Sequence, residues 1–154
     1  MSGNPDHVLV TYALGSCIAM AVWDPRTRVG GMLHFLLPEA LNEETAAQNP
    51  CRYGDTGAPW LLRTVQEQGA ARQRLMVYVA GGASVVDDGG VFNIGKRNYT
   101  ALRKILWKYG VPVHAEEVGG SVSRTVGLEL STGRFWIREP GAPPRQLTRG
   151  ALRC

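Results

Sequence analysis

The feature that most constrains the fold is a hairpin within the first forty residues. Two apolar, β-forming segments, residues 16–23 and 28–37, flank the sequence Asp24-Pro25-Arg26-Thr27. Proline at the second position favours a tight reversal, so the two segments are predicted to pair as antiparallel strands. A further β-forming segment, residues 7–14, precedes them and ends at Gly15. The chain is therefore expected to open as a strand followed by a hairpin.

The remaining segments predict a single α+β domain. Apolar periodicity indicates two principal helices, over residues 55–68 and from residue 93 to 109, and four further strands at about residues 74–80, 111–118, 125–130 and 134–138. Too few helices are present for a doubly wound sheet, which favours a sandwich of mainly antiparallel sheets. Polar residues 39–54 are expected to be a mobile excursion. The domain is expected to span residues 1–139, with a loosely held tail over residues 140–154.

Composition excludes several classes of protein. The 154 residues are 44% hydrophobic and 19% charged, which suits one globular domain. The net charge of +4 comes from scattered basic residues without interleaved aromatics, so no nucleic-acid partner is expected. No apolar run approaches the roughly 20 residues that span a bilayer, and the first residues do not resemble a signal peptide. We therefore expect a cytoplasmic protein without membrane insertion.

The cysteines and histidines indicate thiol chemistry more than metal binding. Cys17, Cys51 and Cys154 form an odd set in a reducing compartment, which makes a disulfide framework improbable. No pair of cysteines has ligand spacing, and the three histidines lie far apart in sequence. We expect neither a metal site nor a cofactor.

The predicted hairpin gives Cys17 a base. If Trp23 pairs with Arg28 across a four-residue loop, the same ladder pairs Cys17 with His34 on one face of the sheet. A thiolate is the nucleophile, and imidazole can take the thiol proton and return it to a leaving amine. Thr11 is a candidate to orient the imidazole. The alternatives are an inert core cysteine beside a buried histidine, and a redox sensor that uses Cys17 or Cys51.

Several short motifs, in order along residues 8–138, resemble one family. They are Leu14-Gly15-Ser16-Cys17, Asp24-Pro25, Gly30-Gly31-Met32-Leu33-His34, Leu37-Pro38, Tyr53-Gly54-Asp55, Ala80-Gly81-Gly82-Ala83-Ser84, Asn93-Ile94-Gly95-Lys96-Arg97-Asn98, and Glu117-Val118-Gly119-Gly120 with Arg124. Together they resemble the CheD family of chemoreceptor glutamine deamidases. In two respects the chain departs from the family pattern. An additional strand usually precedes the position of Val8, and the glycine usually found just ahead of Leu14 is Ala13.

The resemblance implies a site, a substrate and partners. The family's cysteine, histidine and threonine triad falls on Cys17, His34 and Thr11, in a sandwich similar to that of a toxin-type cysteine deamidase. The implied substrate is a glutamine on the cytoplasmic domain of a methyl-accepting chemotaxis receptor, and some members also hydrolyse receptor methyl esters. The family also implies binding to a CheC-type phosphatase. A non-catalytic module that regulates this phosphatase is the alternative function.

Six further residues are predicted to line the site or contact substrate. They are Ser16, Gly81, Gly82, Ser84, Asn93 and Arg97. Tight turns and the start of a helix would explain the same residues equally well. Asp87 and Asp88 are expected to form a solvated turn.

Overall fold

A computed structural model describes residues 1–84 and 93–148. The sequence predictions for Asp87, Asp88 and Cys154 lie outside these residues. The strands are β1 (Val8–Leu14), β2 (Ile18–Trp23), β3 (Gly30–Phe35), β4 (Met76–Gly81), β5 (Ala115–Val118), β6 (Arg124–Glu129), β7 (Phe135–Arg138) and β8 (Arg145–Gln146). The α-helices are α1 (Glu43–Gln48), α2 (Gly54–Glu67) and α3 (Ile94–Lys108).

The strands form two four-stranded sheets. We call the sheet with order β3-β2-β4-β5 the central sheet, and the sheet with order β1-β6-β7-β8 the outer sheet. Neighbouring strands are antiparallel except for β4 and β5, which are parallel. The prediction of an α+β fold with mainly antiparallel sheets is confirmed.

The central sheet is the middle of three layers. On one face, Ile18 and Met20 pack with Leu62 of α2 and Leu102 of α3. On the other face, alternate residues such as Ala19 pack with side chains of the outer sheet. Every residue of β2 is buried because the strand is covered on both faces, which explains its unbroken apolar sequence. Residues with odd numbers in and next to β2 therefore face the outer sheet.

The hairpin register differs from the prediction. Trp23 pairs with Gly30 and Ala19 with His34, so the pairing is displaced by two residues from the one expected. The pairing of Cys17 with His34 is therefore wrong. The amide of Asp24 donates to the carbonyl of Val29 at 3.0 Å, so the loop consists of residues 25–28 and ends with Arg28 at a φ of 58°.

Tertiary contacts of Asp24 explain the displaced register. The Asp24 carboxylate is fully buried and accepts hydrogen bonds from the backbone of Ala71 at 2.8 Å and from the Arg74 guanidinium at 2.6 Å. Burial alone would raise the pKa of the Asp24 carboxyl, but the hydrogen bonds from Arg74, Ala71 and Arg26 outweigh burial and lower the pKa to about 2. These contacts hold Asp24 as a paired residue at the end of the hairpin.

The polar excursion over residues 39–54 contains regular secondary structure. It contains α1, whose first turn is held by a capping box between Asn42 and Thr45. A short 3₁₀ turn, Pro50–Arg52, follows and leads into α2. Half-buried Cys51 lies in this turn and packs against the core beneath the helices. The segment thus contains regular structure that the sequence analysis did not predict, and its mobility stays a prediction.

Part of the C-terminal tail belongs to the outer sheet. The sequence predicts a loosely held tail from residue 140, but β8 pairs with β7, and Leu147 is buried in the core between the sheets. The domain boundary at residue 139 stays a prediction. Among the described helices, none combines the length and the apolar character that crossing a membrane requires.

Candidate active site

Thr11 and His34 form the central contact of the site. Thr11 lies on β1 of the outer sheet, and His34 lies on β3 of the central sheet. Since His34 pairs with Ala19, whose side chain lies between the sheets, its imidazole faces β1. Thr11 Oγ1 and His34 Nδ1 are 2.8 Å apart, a hydrogen bond that joins the two layers.

The environment of His34 favours a neutral imidazole. Burial lowers the pKa of His34 because a buried imidazolium loses hydration. A threonine hydroxyl can either donate or accept a hydrogen bond. In the tautomer in which Nδ1 donates to Thr11 Oγ1, Nε2 keeps its lone pair and can take a proton. The Thr11 contact thus suits an orienting role toward a histidine base.

Cys17 lies in the turn just before β2, on the same face as Ala19. It is half-buried and packs against the core between the sheets. Cys17 lies one residue before the last pair of the ladder, Ile18 with Phe35. An ideal continuation of the ladder would make His34 its diagonal neighbour, a relation that spans about 7–8 Å between Cα atoms. Because a cysteine side chain is short, Cys17 and His34 must come closer for direct proton transfer. The parity that the sequence predicts is correct, although the direct pairing is not.

Burial disfavours the thiolate form of Cys17. Burial raises the pKa of the Cys17 thiol, and the Cys17 backbone N–H partly offsets this effect by stabilising the thiolate. Within residues 1–84 and 93–148, no hydrogen bond joins Cys17 to His34. The structure therefore joins Thr11 to His34 directly and places Cys17 on the face that they share, without a direct contact to His34.

The loop after β4 holds the backbone of the cysteine turn. The Gly82 amide donates to the Cys17 carbonyl at 2.8 Å, and the Ala83 amide donates to the Gly15 carbonyl at 2.8 Å. At Gly81, φ is 111°, and a Cβ there would overlap the Cys17 carbonyl oxygen. Glycine is needed at this position because the two backbones approach so closely. Gly81 and Gly82 thus contact the backbone of the cysteine turn, and their contact with substrate stays a prediction.

The other predicted site residues are placed differently. Ser84 is exposed and uses its amide to donate to the Gly120 carbonyl at 2.9 Å. Asn93 and Arg97 are exposed and line a shallow groove between α3 and residues 37–41. Neither Cys17 nor His34 lines that groove. The structure therefore does not bring Asn93 and Arg97 together with the thiol, and their contact with substrate stays a prediction.

Asn98 ends the motif of residues 93–98, and the sequence analysis assigns it no role. It lies on α3, is fully buried, and donates from Nδ2 to the carbonyl of Ser16, the neighbour of Cys17. A usable signal is present in the sequence. Asn98 precedes Leu102 by four residues and Leu106 by eight, which puts a polar side chain on the apolar face of the helix.

Ala13 occupies a strained position beside the site. The pairing of β1 with β6 shifts between Thr11 and Leu14, and Ala13 adopts a φ of 55° there. This left-handed conformation suits glycine better than alanine. Alanine at this position therefore costs some stability relative to glycine.

Metal ligands are not grouped in the part of the chain that the structure describes. No set of three or more His, Cys, Asp or Glu side chains lies close enough together there to hold an ion. The arrangement of Thr11, His34 and Cys17 fits acid–base and nucleophilic chemistry by side chains.

Comparisons with known proteins identify the family of the chain. Residues 36–139 match a family model described as CheD chemotactic sensory transduction. A protein of Solibacter usitatus is 51% identical over 138 residues, covering 89% of this chain and 82% of its own, and is named a probable chemoreceptor glutamine deamidase CheD. Relatives with the same designation occur in Anaeromyxobacter dehalogenans, at 49% identity over 90% of this chain and 87% of that protein, and in Syntrophus aciditrophicus, at 43% over 96% and 92%.

The match to the family model begins after Thr11, Cys17 and His34, so the roles of these three residues stay predictions. The extent of the matched segment and the identity of the relatives are nevertheless decisive for membership. The chain belongs to the CheD family.

Proposed function

We propose that this protein deamidates glutamine side chains on the cytoplasmic domain of methyl-accepting chemotaxis receptors, with Cys17 as nucleophile, His34 as base and Thr11 as the residue that orients His34. The observation that carries the proposal is the 2.8 Å hydrogen bond between Thr11 and His34, on the face that Cys17 shares. The names of the relatives supply the substrate class.

Burial disfavours the charged forms of both Cys17 and His34. Burial raises the pKa of Cys17 and lowers the pKa of His34, so both shifts disfavour a stored thiolate and imidazolium. We therefore expect Cys17 and His34 to come within hydrogen-bond distance first. The proton then leaves the Cys17 thiol as the sulfur attacks. Contacts of this kind often tighten only when substrate is bound.

The first half of the reaction releases ammonia. His34 Nε2 takes the thiol proton while Cys17 Sγ forms a bond to the carboxamide carbon, and the carbonyl π electrons move to oxygen. The Cys17 backbone N–H is the candidate donor to this oxyanion. When the oxygen re-forms its double bond, the carbon–nitrogen bond breaks, and His34 returns the proton to the departing nitrogen. A thioester remains on Cys17.

The second half restores the enzyme. His34 removes a proton from water as the water oxygen attacks the thioester carbon. The tetrahedral species collapses by breaking the carbon–sulfur bond, and the sulfur recovers the proton from His34. The products are glutamate and a free thiol. Receptor methyl esters would react in the same way with methanol as the leaving group, so methylesterase activity is part of the proposal.

The product has a physical consequence for the substrate. Each turnover replaces a neutral amide by a carboxylate on a helical receptor domain. Added negative charge can shift the balance between two signalling conformations. A receptor substrate of this kind places the reaction in the cytoplasm.

The central experiment is incubation with a purified receptor cytoplasmic fragment, followed by peptide mass spectrometry. We expect selected glutamines to gain the mass difference between an amide and an acid, and Cys17→Ser to abolish the change. Cys51→Ser is the matched control, since Cys51 packs near α2 and has no proposed role. Unmodified receptors with the folded wild-type protein, or full activity in Cys17→Ser, would refute the proposal.

The alternative is a binding module for a CheC-type phosphatase. Such a module would bind the phosphatase equally well with Cys17→Ser and would leave receptor glutamines unchanged. The kinship with toxin-type cysteine deamidases is supported in outline by a cysteine before one strand and a histidine on the neighbouring strand of a layered α+β domain. Both the CheC-type partner and this kinship stay proposals.

A further inference from the structure

The amide of Asn98 joins the two chain segments that carry Cys17 and His34. Asn98 Nδ2 donates to the Ser16 carbonyl at 3.0 Å and to the Leu36 carbonyl at 2.9 Å. Ser16 immediately precedes Cys17, and Leu36 follows His34 by two residues. One fully buried side chain on α3 therefore bridges the backbones on both sides of the site.

The contacts of Asn98 lie just beyond the last pair of the ladder between β2 and β3. The last paired residues of β2 and β3 are Ile18 and Phe35. Beyond them the chain after β3 turns away, because the amides of Leu36 and Leu37 both donate to the Arg52 carbonyl. Without strand pairing, the cysteine turn depends on other contacts to keep its distance from β3. Asn98 supplies the cross-link at the position of the next pair.

The chemistry of the bridge requires an amide. Both partners are carbonyl oxygens, which only accept hydrogen bonds, so the NH2 group of Asn98 must point toward them. Asn98 Oδ1 is buried and has no hydrogen-bond partner within the described residues. An unpaired buried acceptor is unfavourable for folding. The unpaired Asn98 Oδ1 therefore lowers the stability of the fold, although both hydrogen bonds from Nδ2 are kept.

The hydrogen bond from Asn98 to the Ser16 carbonyl also sets the direction of the Cys17 backbone N–H. In a trans peptide the carbonyl and the following amide point in opposite directions. Asn98 draws the Ser16 carbonyl toward α3, so the Cys17 N–H is directed away from the helix. This N–H already acts on the Cys17 thiol and is the proposed donor to the oxyanion.

We infer that Asn98 is a positioning residue, which fixes the Ser16–Cys17 peptide relative to the end of β3. This contact sets the position of the Cys17 thiol and the direction of the Cys17 N–H relative to His34. The inference rests on the proposed function. Because Asn98 is fully buried on the helix side of the central sheet, it acts through these backbones without touching a protein substrate.

Steady-state kinetics of Asn98→Ala on the receptor fragment test this inference. We expect kcat to fall by about 10- to 100-fold, the scale of effect that follows a small misplacement of reacting groups, while KM stays within about twofold. The matched control is Tyr78→Phe, which removes another buried donor to a carbonyl, that of Gly133 at 3.1 Å. Its thermal stability should fall while its kcat is unchanged.

Alkylation of Cys17 by iodoacetamide gives a readout that needs no receptor. In a background with Cys51→Ser and Cys154→Ser, Asn98→Ala should change the alkylation rate by more than about threefold because the thiol and its neighbouring N–H are displaced. Tyr78→Phe should not change it. If the wild-type protein fails to deamidate receptors, the proposed function fails, and this rate still decides whether Asn98 positions the thiol.

The inference is overturned if folded Asn98→Ala keeps both the kcat and the alkylation rate of the wild type. It is also overturned if Tyr78→Phe loses as much activity as Asn98→Ala. Lower thermal stability would then explain the loss of kcat in both variants. Should Asn98→Ala not fold, Asn98→Ser takes its place, because a shorter hydroxyl side chain cannot bridge both carbonyls. The same two criteria then apply.

Discussion

Replacing Thr11 with valine removes a hydroxyl of known geometry while keeping the shape of the side chain. The lost contact is the 2.8 Å hydrogen bond to His34 Nδ1. During the proposed reaction the imidazole becomes positively charged, and a hydrogen bond to a charged group is worth about 1.5–3 kcal/mol. Since about 1.4 kcal/mol corresponds to a factor of ten, kcat for deamidation should fall about 10- to 150-fold.

The assay for Thr11→Val is ammonia release from a receptor fragment under saturating conditions. Thr11→Ser is the matched control, because it keeps the hydroxyl and should retain activity within about threefold of the wild type. Thermal unfolding of both variants separates a catalytic effect from loss of structure. A folded Thr11→Val protein with the kcat of the wild type would refute the orienting role of Thr11.

Two further predictions concern ionisation. The rate of Cys17 alkylation should rise with pH around a midpoint above the ordinary cysteine pKa of about 8.5, because burial raises the pKa of this thiol. A rate that already reaches its plateau at neutral pH would contradict this effect of burial on Cys17. Asp24→Asn should lower the free energy of unfolding at neutral pH by about 2 kcal/mol, as measured by urea denaturation. Because the folded-state pKa of Asp24, about 2, lies below its unfolded value, this difference is present above about pH 4 and should shrink by about half near pH 3. Glu67→Gln, at an exposed ion pair with Arg63, is the control and should change stability little at either pH.

The pattern of residues along the chain was sufficient for the secondary structure and the chemistry. Strands β1 to β7 and the two long helices lie close to the predicted segments, because period-2 alternation, apolar runs and turn residues act locally. Alternation also placed Cys17 and His34 on one face of the hairpin. Helix α1 had a local signal as well, the capping box at Asn42 and Thr45, which the polar composition of the segment obscured.

The tertiary structure decided the geometry of the site. The hairpin register depends on the Asp24 carboxylate, which Ala71 and Arg74 hold by hydrogen bonds. These two residues lie about fifty positions further along the chain, so rules for local turns could not predict the register. The hydrogen bond between Thr11 and His34 exists only because the two sheets pack face to face. The bridge from Asn98 likewise requires α3 to lie against the end of the hairpin. The sequence alone thus determined which side chains can do the chemistry, whereas long-range packing determined their distances and partners.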